Sequence, residues 1–362
     1  MKRTIFLILA CLLLGGCASK SPAETPPPAA EAPASPAAAE TPVPEAAPAP
    51  LALSAFTEAD SAAMSRFMSR NRCLIDGDVL YGLDFDGDLS PVLARYALRD
   101  GRPEDFQILC RGCVPEYLAL EDGKLYFLNG GVAQSCDLKS KKCRTLADRP
   151  WQSLQVFDGA LYYVDAEGRF CRCALDGKTG ETLIDGPCDY AWAMPEGVIY
   201  QSERDGCCLR LRLWDGTDRR LTAAASYAPL RLGDTVWYAQ KDREGSVLAC
   251  VDLRDGTVRR CDAPEIRGAA ELFFAGGEPL LRVFLAEDSR KQLVLSPGGR
   301  EGTACAYSGY RLCDYVGEGL RVDAAYDPDG RLRCFVLVDG DGGELRYFGG
   351  QILNDTEQND GA

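Results

Sequence analysis

The chain has 362 residues, of which 46% are hydrophobic and 26% charged, a balance typical of globular proteins and long enough for one large or two ordinary domains. Its formal charge is −14 and no Lys/Arg cluster offsets that charge, so we expect no nucleic-acid partner. The sequence contains no histidine, which excludes Ser-His-Asp and Cys-His catalysis as well as His-ligated metal sites.

Residues 1–16 have the layout of a secretory signal peptide: two basic residues, then the apolar run 5–14, which is too short to span a bilayer. The stretch Leu-Gly-Gly-Cys at 14–17 resembles the lipobox of bacterial lipoproteins, and that resemblance implies acylation of Cys17. A plain secretory signal is the alternative. Acyl chains on Cys17 would anchor the protein, so we expect it at the cell membrane or outer envelope, on the extracytoplasmic face.

Residues 17–50 follow as a linker made almost only of Ala, Pro, Glu, Ser and Thr. Such a composition cannot bury a core and predicts an extended, semi-rigid spacer. Residues 51–70 form a short N-terminal segment, in which Thr57-Glu58-Ala59-Asp60 resembles a capping box and predicts a short helix over 57–69. We expect the polar tail, residues 354–362, to be disordered.

One phrase recurs through the rest of the chain: a pair of turn residues followed by a short run of β-branched and aromatic residues. Its clearest copies are Asp122-Gly123 before Leu-Tyr-Phe and Asp158-Gly159 before Leu-Tyr-Tyr. Seven copies occur, at steps of 36 to 46 residues. Further Asp-Gly or Glu-Gly turns divide each unit into four short strands, because Asp-Gly favours tight hairpins.

A period of about 40 residues with four strands per unit is typical of propeller blades. The sequence therefore predicts an all-β fold, a β-propeller of four-stranded antiparallel blades over residues 71–353. Seven blades is the expected number, and six or eight are the alternatives, because the sixth unit has lost its tyrosine.

The run Leu161-Tyr162-Tyr163-Val164-Asp165 resembles the YWTD-type β-propellers of the low-density-lipoprotein-receptor-related class, which also occur in bacterial lipoproteins. This resemblance implies a propeller that binds proteins or other ligands, and it carries over no catalytic residue. A narrower match, residues 174–183, is similar to one repeat of the quinoprotein-like propellers.

Carboxylates are the remaining candidates for chemistry, since glycosidases use a pair of them. Most Asp and Glu residues here fall in predicted turns, where solvation is their expected role. The alternating carboxylates at 84–88 lack the Gly and Glu that a calcium loop needs at its sixth and twelfth positions. We therefore expect neither a metal nor a cofactor.

Fifteen of the 17 cysteines lie beyond residue 17, an odd number, so at least one is unpaired or pairs between chains. Core packing as small apolar side chains is one interpretation, and disulfides are the other, because export permits them. Counting outward from predicted two-residue turns pairs Cys250 with Cys261 and Cys136 with Cys143. Both pairs are candidate disulfides.

Together these features predict a monomeric, membrane-anchored propeller that binds a partner protein or a cell-envelope ligand such as a glycan through loops at one end of its channel, and that is not an enzyme. The alternative is an exported, carboxylate-based hydrolase of glycans. Two or three convergent carboxylates with aromatic residues at the channel end would favour that alternative. A thiol-based redox or metal module is a third hypothesis.

Overall fold

The computed structural model describes residues 51–260 except 89, 100–101 and 242–245, and beyond residue 260 it describes the backbone of eight strands. Residues 1–50 and 354–362, with Cys17, lie outside the described residues. One helix, α1 (Glu58–Met68), precedes the first strand. Within the described part of the chain, no helix has the length and apolar character that crossing a bilayer requires.

Seven four-stranded antiparallel sheets follow α1, each formed by four consecutive strands, and we name them blades 1 to 7 in chain order. Blade 1 comprises β1 Cys73–Asp76, β2 Val79–Phe85, β3 Pro91–Arg99 and β4 Arg102–Arg111. Blade 2 comprises β5 Pro115–Glu121, β6 Lys124–Asn129, β7 Val132–Asp137 and β8 Lys142–Thr145. Blade 3 comprises β9 Trp151–Phe157, β10 Ala160–Asp165, β11 Phe170–Ala174 and β12 Glu181–Ile184. Blade 4 comprises β13 Cys188–Met194, β14 Gly197–Ser202, β15 Cys208–Leu213 and β16 Asp218–Arg220, with a short 3-10 turn, Glu203–Asp205, before β15.

The last three blades have the same order. Blade 5 comprises β17 Ser226–Leu232, β18 Thr235–Lys241, β19 Ser246–Asp252 and β20 Val258–Arg260. Blade 6 comprises β21 Ala270–Ala275, β22 Glu278–Phe284, β23 Gln292–Leu295 and β24 Thr303–Cys305. Blade 7 comprises β25 Tyr310–Gly317, β26 Leu320–Tyr326, β27 Leu332–Val338 and β28 Glu344–Phe348.

The predicted Asp-Gly hairpins are present where the sequence pattern is strongest. Glu121 pairs with Lys124 across a two-residue loop, in which Asp122 and Gly123 have φ values of 49° and 69°. Asp158 and Gly159 repeat this geometry in blade 3, with φ values of 46° and 65°. Two successive positive φ angles define the type I′ turn, whose twist matches that of the strands it joins.

The blades are arranged in a ring, with the first strand of each blade on the inside. The first strands of blades 1 to 6 contact one another in sequence order, and β1 also contacts β25 while β4 contacts β28. The ring therefore closes between blades 1 and 7, each of which is complete in its own stretch of sequence. The all-β, seven-bladed fold predicted from the repeat is confirmed.

Helix α1 runs along the channel that the first strands enclose. Its buried residues Met64 and Phe67 share one apolar cluster with Tyr117 of β5, Trp192 of β13 and Leu230 of β17. Its backbone also approaches β17, β21 and β25. Since the first strands of nearly every blade meet this one helix, α1 occupies the axis and its side chains are part of the core.

The helix begins with the predicted capping box. Thr57 Oγ1 accepts a hydrogen bond from the Asp60 backbone at 3.2 Å, and Asp60 Oδ2 accepts one from the Thr57 backbone at 2.8 Å. Reciprocal bonds of this kind satisfy two of the donors that a helix start leaves unpaired. Small buried residues, Ser61 and Ser65, then allow the helix to pack closely, and Ser61 Oγ donates to Arg231 O at 2.7 Å.

A buried ion pair lies beside the first half of α1. The Arg231 side chain is fully buried, and its Nη1 lies 2.7 Å from Oε2 of Glu196, which stands in the loop between β13 and β14. Glu196 Oε1 also accepts a hydrogen bond of 2.6 Å from the Ser54 backbone. Arg231 further donates to Gly233 O at 2.8 Å, and the Phe56 ring lies 4.4 Å from its guanidinium carbon. The chain ahead of the helix is thereby fastened to blades 4 and 5.

Candidate functional site at the mouth of the channel

The two ends of the channel differ. We call the end where the first strands begin the mouth, and the opposite end, which carries the hairpins between first and second strands, the closed face. The Arg231–Glu196 pair lies at the closed face, because Glu196 is in such a hairpin. The C-terminal end of α1 lies at the mouth, where Asn71 bonds to the start of blade 2.

Three first strands carry the same irregularity at the mouth. The third residue of β5, β13 and β17 has a left-handed backbone, with φ values of 55° for Tyr117, 47° for Tyr190 and 47° for Ala228. Strand pairing breaks at each of these points. Bulges of this kind re-aim side chains and are common next to functional sites, and left-handed non-glycine residues are rare.

Arg70 ends the helix among these bulges. Its N–H donates to Phe67 O at 2.9 Å and the Asn71 N–H donates to Arg66 O at 3.1 Å, the two bonds of a Schellman cap. Arg70 occupies the left-handed position of that cap, with φ 56°, where glycine is usual. The Asn71 side chain then donates to Leu118 O at 2.8 Å, which fixes the helix end against the bulge of β5.

The Arg70 side chain is exposed and interacts electrostatically with both mouth tyrosines. Burial raises the pKa of Tyr117 to about 12, while Arg70 acts in the opposite direction. Burial likewise raises the pKa of Tyr190 to about 12, with Arg70 again opposing the shift. Both phenols therefore remain protonated at neutral pH, and each can donate a hydrogen bond while interacting electrostatically with Arg70.

Two carboxylates complete the arrangement. Glu116 and Asp189 each directly precede a mouth tyrosine, and both act electrostatically on Arg70. Glu116 Oε1 lies 3.3 Å from Nη2 of Arg72, while Asp189 Oδ1 accepts a 2.8 Å hydrogen bond from the Tyr190 backbone. One guanidinium, two phenols and two carboxylates thus interact electrostatically near the end of the helix. We call this set the mouth cluster.

Aromatic side chains form the floor beneath it. The Phe67 ring centroid lies 5.1 Å from that of Tyr117 and 5.0 Å from that of Trp192. A cavity of about 320 Å³ continues along the helix, lined by these three rings and by residues of β1, β5 and β9. Tyr117 belongs both to the mouth cluster and to the lining of this cavity, so a polar group of residues lies next to a partly apolar cavity, a combination expected of a ligand site.

A larger concavity of about 760 Å³ lies between blades 3 and 4 and contains four arginines. Most of them are engaged by the protein itself. Arg210 bonds Asp205 at 2.7 Å and Asp218 at 3.0 Å, and Arg204 donates to Asp185 O at 2.9 Å. Since these guanidinium groups already have partners, the concavity is less suited to a ligand than the mouth is.

The turn carboxylates have a structural role in three blades. Asp176, Asp215 and Asp255 each accept a hydrogen bond of 2.8 to 2.9 Å from the backbone N–H two residues on. Those bonds lower the pKa of Asp215 and of Asp255. Asp-Gly turn residues of this kind stabilise hairpins and do not converge on a site.

One candidate disulfide pair is adjacent and the other is not. Cys136 lies directly opposite Cys143 in the register of β7 and β8, as predicted, and both are free thiols in the structure. Cys250 lies opposite Arg259, so the predicted register with Cys261 is wrong. The reason is the position of the turn: Asp252 N–H donates to Thr257 O at 2.9 Å, so Asp255-Gly256 form the second half of a four-residue loop, 253–256, and not its centre as was assumed. Cys261 itself lies outside the described residues.

The structure also brings Cys110 and Cys113 to the same place. Cys143 Sγ donates to Leu109 O at 3.7 Å, so blade 2 contacts blade 1 at this point. All four cysteines belong to one apolar cluster at the interface of these blades. Sequence spacing alone does not reveal this, because the two pairs lie on different blades.

The mouth cluster was missed from the sequence, although a signal for it exists. Glu116-Tyr117 and Asp189-Tyr190 are acid-tyrosine dipeptides at the same position of blades 2 and 4, just ahead of each first strand's apolar run. Their repetition marks a shared position but gives no indication of a left-handed backbone. The location of Arg70 depends on α1 lying in the channel, which the sequence does not specify.

Comparison with solved structures identifies the class of fold. A puromycin-hydrolysing peptidase of Mycobacterium tuberculosis has a TM-score of 0.56 at 13% identity, covering 78% of this chain and 54% of that one. A prolyl endopeptidase structure has a TM-score of 0.54 at 11% identity, covering 81% of this chain and 52% of that one. The chain thus spans about half the length of these enzymes and shares their propeller fold. No protein-family model and no curated protein matches the sequence.

These similarities correct one sequence-based prediction. The prediction that the protein is not an enzyme is wrong, because the same fold occurs within two peptidases. At such low identity the likeness shows the fold alone and transfers no catalytic residue. The absence of histidine still excludes a Ser-His-Asp triad within this chain.

Proposed function

We propose that this protein is a lipid-anchored, extracytoplasmic β-propeller that binds a carboxylate-bearing glycan of the cell envelope at the mouth cluster. The observation that carries the proposal is the exposed side chain of Arg70 at the end of α1, which interacts electrostatically with two protonated phenols, Tyr117 and Tyr190, one of them packed on the Phe67 ring. A guanidinium recognises a carboxylate through paired hydrogen bonds. Tyrosine rings offer rigid apolar faces with a polar tip, which suits a sugar ring that carries hydroxyl groups.

Anchoring rests on the signal-like residues 1–16 and the lipobox-like stretch that ends at Cys17. The Pro/Ala-rich linker would hold the propeller away from the membrane, where a polymeric glycan could reach the mouth. The test is Cys17→Ser expressed in a bacterial host, with Cys11→Ser in the leader as the matched control. We expect the Cys17 variant alone to lose labelled palmitate and to leave the membrane fraction. Equal labelling of both variants would contradict the anchor.

Binding is tested by calorimetric titration with uronic-acid oligosaccharides and with their neutral methyl esters. Arg70→Gln should weaken binding of the acidic oligosaccharide at least tenfold, since a charge-assisted bond contributes about 1.5–3 kcal/mol. Arg99→Gln in blade 1 is the matched control, because its side chain is 66% exposed and lies outside the mouth cluster. Equal affinity of the wild type for the acid and the ester would refute recognition of a carboxylate.

Hydrolysis of the same glycan is a second candidate function, favoured by the two carboxylates and the aromatic residues at the mouth. Glycosidases act with such a pair, one carboxyl as general acid and the other as base or nucleophile. Glu116 and Asp189 are the residues to change. If the protein releases reducing ends from the oligosaccharide, Glu116→Gln and Asp189→Asn should each abolish release while binding persists. Activity that survives both substitutions would exclude this pair.

A further inference from the structure

Four cysteines from two blades meet at the interface of blades 1 and 2. Cys110 is the last but one residue of β4 and Cys113 follows that strand, while Cys136 and Cys143 face each other on β7 and β8. All four are free thiols in one apolar cluster. Electrostatic and hydrogen-bond contacts connect Cys113 to Cys110, Cys110 to Cys143, and Cys143 to Cys136. The thiols therefore form a row in that order, which we call the thiol row.

The ends and the middle of the row differ in exposure. Cys113 and Cys136, at the ends, are both 0% exposed, whereas Cys110 and Cys143, in the middle, are only partly buried. A reagent from solution can thus reach the two middle sulfurs first. The two end sulfurs are reached only through their neighbours within the row.

Local geometry suits a disulfide at each end of the row. Leu146 N–H donates to the directly opposite Ala133 O at 2.8 Å, so the alternation of the ladder makes Cys136 and Cys143 a non-hydrogen-bonded pair. Side chains approach most closely in such pairs, at a Cα separation of about 4.5 Å that a disulfide can bridge. Between Cys110 and Cys113, Gly112 at φ 64° turns the chain so that both thiols face the same cluster.

We propose that the thiol row is a thiol–disulfide exchange site, oxidised by a disulfide-bearing partner to the two bridges Cys110–Cys113 and Cys136–Cys143. The arrangement of ligands does not favour a metal: among the described residues, no group of three or more Cys, Asp or Glu is placed to hold an ion. Thiol–disulfide exchange requires that each sulfur lie next to the sulfur it attacks, and the row places the four sulfurs in that way. This inference is independent of ligand binding at the mouth.

The Cys110 thiolate attacks the oxidant R–S–S–R and releases one thiol, and Cys113 then attacks the mixed disulfide and releases the second, so the protein loses two electrons and two protons. Cys143 can next attack Cys110 Sγ, freeing Cys113, after which Cys136 attacks Cys143 Sγ and frees Cys110. That exchange moves the bridge from blade 1 to blade 2. A second equivalent of oxidant reforms Cys110–Cys113, and four R–SH are released in all.

Alkaline pH should accelerate the first step. Burial and the neighbouring Cys143 raise the pKa of Cys110 to about 11, so the attacking thiolate is scarce at pH 7. The rate of oxidation should therefore rise about tenfold per pH unit between pH 7 and pH 9.

The test uses the full chain, reduced and then treated with oxidised glutathione, with bridges mapped by peptide mass spectrometry. We expect both predicted bridges, and in Cys113→Ala/Cys136→Ala we expect the middle pair, Cys110–Cys143, to link the two blades. Cys171→Ala/Cys173→Ala in blade 3 is the matched control and should leave oxidation of the row unchanged. Circular dichroism checks that each variant retains its sheet signal.

Three outcomes would overturn the proposal. In the first, the four thiols stay reduced in excess oxidised glutathione while the chain remains folded. In the second, the double variant forms no Cys110–Cys143 bridge although it is folded. In the third, the reduced chain retains a stoichiometric thiophilic metal that protects all four thiols, which would make the cluster a metal site.

Discussion

An arginine lies near each end of helix α1, and the two side chains have opposite surroundings. Arg231, beside the first half of the helix, is fully buried and bonded to Glu196 and to the backbone of Gly233. Arg70, at the mouth, is exposed and stands among tyrosines and carboxylates on a strained backbone. The first arrangement fastens the helix in the ring, whereas the second presents a charge to solvent. By the proposed function, a charge in the propeller channel serves stability at one end and recognition at the other.

The largest effect should come from breaking the buried pair. Arg231→Met leaves the Glu196 carboxylate buried without its partner, which typically costs about 3–5 kcal/mol. Urea unfolding followed by circular dichroism measures the free energy of unfolding. Arg231→Met/Glu196→Leu is the matched control, and it should recover most of the loss because no unpaired charge remains. A double variant as unstable as the single one would show that the arginine acts through packing alone.

Acid should weaken the same pair. Burial alone would raise the pKa of Glu196, but the hydrogen bond and charge of Arg231 outweigh burial and hold the pKa below its ordinary value of 4.5. A lowered native pKa means that this stabilisation is complete above pH 4.5 and is lost as pH falls through the native value. The fall in stability between pH 5 and pH 3 should thus be smaller in Arg231→Met/Glu196→Leu than in the wild type. Parallel pH profiles would contradict the coupling.

The next effect concerns the aromatic floor. Phe67→Ala removes a ring that contacts Tyr117 and Trp192, and we expect a loss of about 3 kcal/mol in the free energy of unfolding. Ligand binding at the mouth should weaken as well, because Tyr117 loses its support. Val258→Ala, at a side chain that is 46% exposed, is the control and should change stability by less than about 0.5 kcal/mol. Unchanged binding in Phe67→Ala would separate the floor from the site.

The sequence predicts the blades of the propeller well, but it does not predict that helix α1 fills the channel. The blade number and the type I′ turns at Asp122-Gly123 and Asp158-Gly159 can be predicted from short sequence patterns. A pair of turn residues and an alternating run of apolar residues are each enough to indicate a hairpin. The capping box at Thr57 is equally local. That α1 fills the channel depends on contacts with the first strands of many blades, which no local pattern encodes. The register error at Cys250 arises because an Asp-Gly pair can be a whole two-residue loop, as at Asp158-Gly159, or the second half of a four-residue loop, as at Asp255-Gly256.

A smaller effect tests the start of the helix. Thr57→Ala removes the side chain that caps α1 and should cost about 1 kcal/mol. Thr57→Ser keeps the hydroxyl group and should cost much less. Neither change should alter ligand affinity, because the cap lies at the end of the helix away from the mouth. A large change in affinity would mean that the two ends are coupled through the helix.

The smallest effect has the opposite sign. Arg70 holds φ 56° in the Schellman cap, a backbone that glycine adopts without strain. Arg70→Gly should therefore raise the free energy of unfolding by about 1 kcal/mol, while it removes the guanidinium that we assign to ligand recognition. Arg70→Gln keeps the strained backbone and should lose binding without gaining stability. A protein that is less stable with glycine would show that Arg70 supports the fold, as Arg231 does, whereas higher stability with lost binding would show that the strain is retained for function.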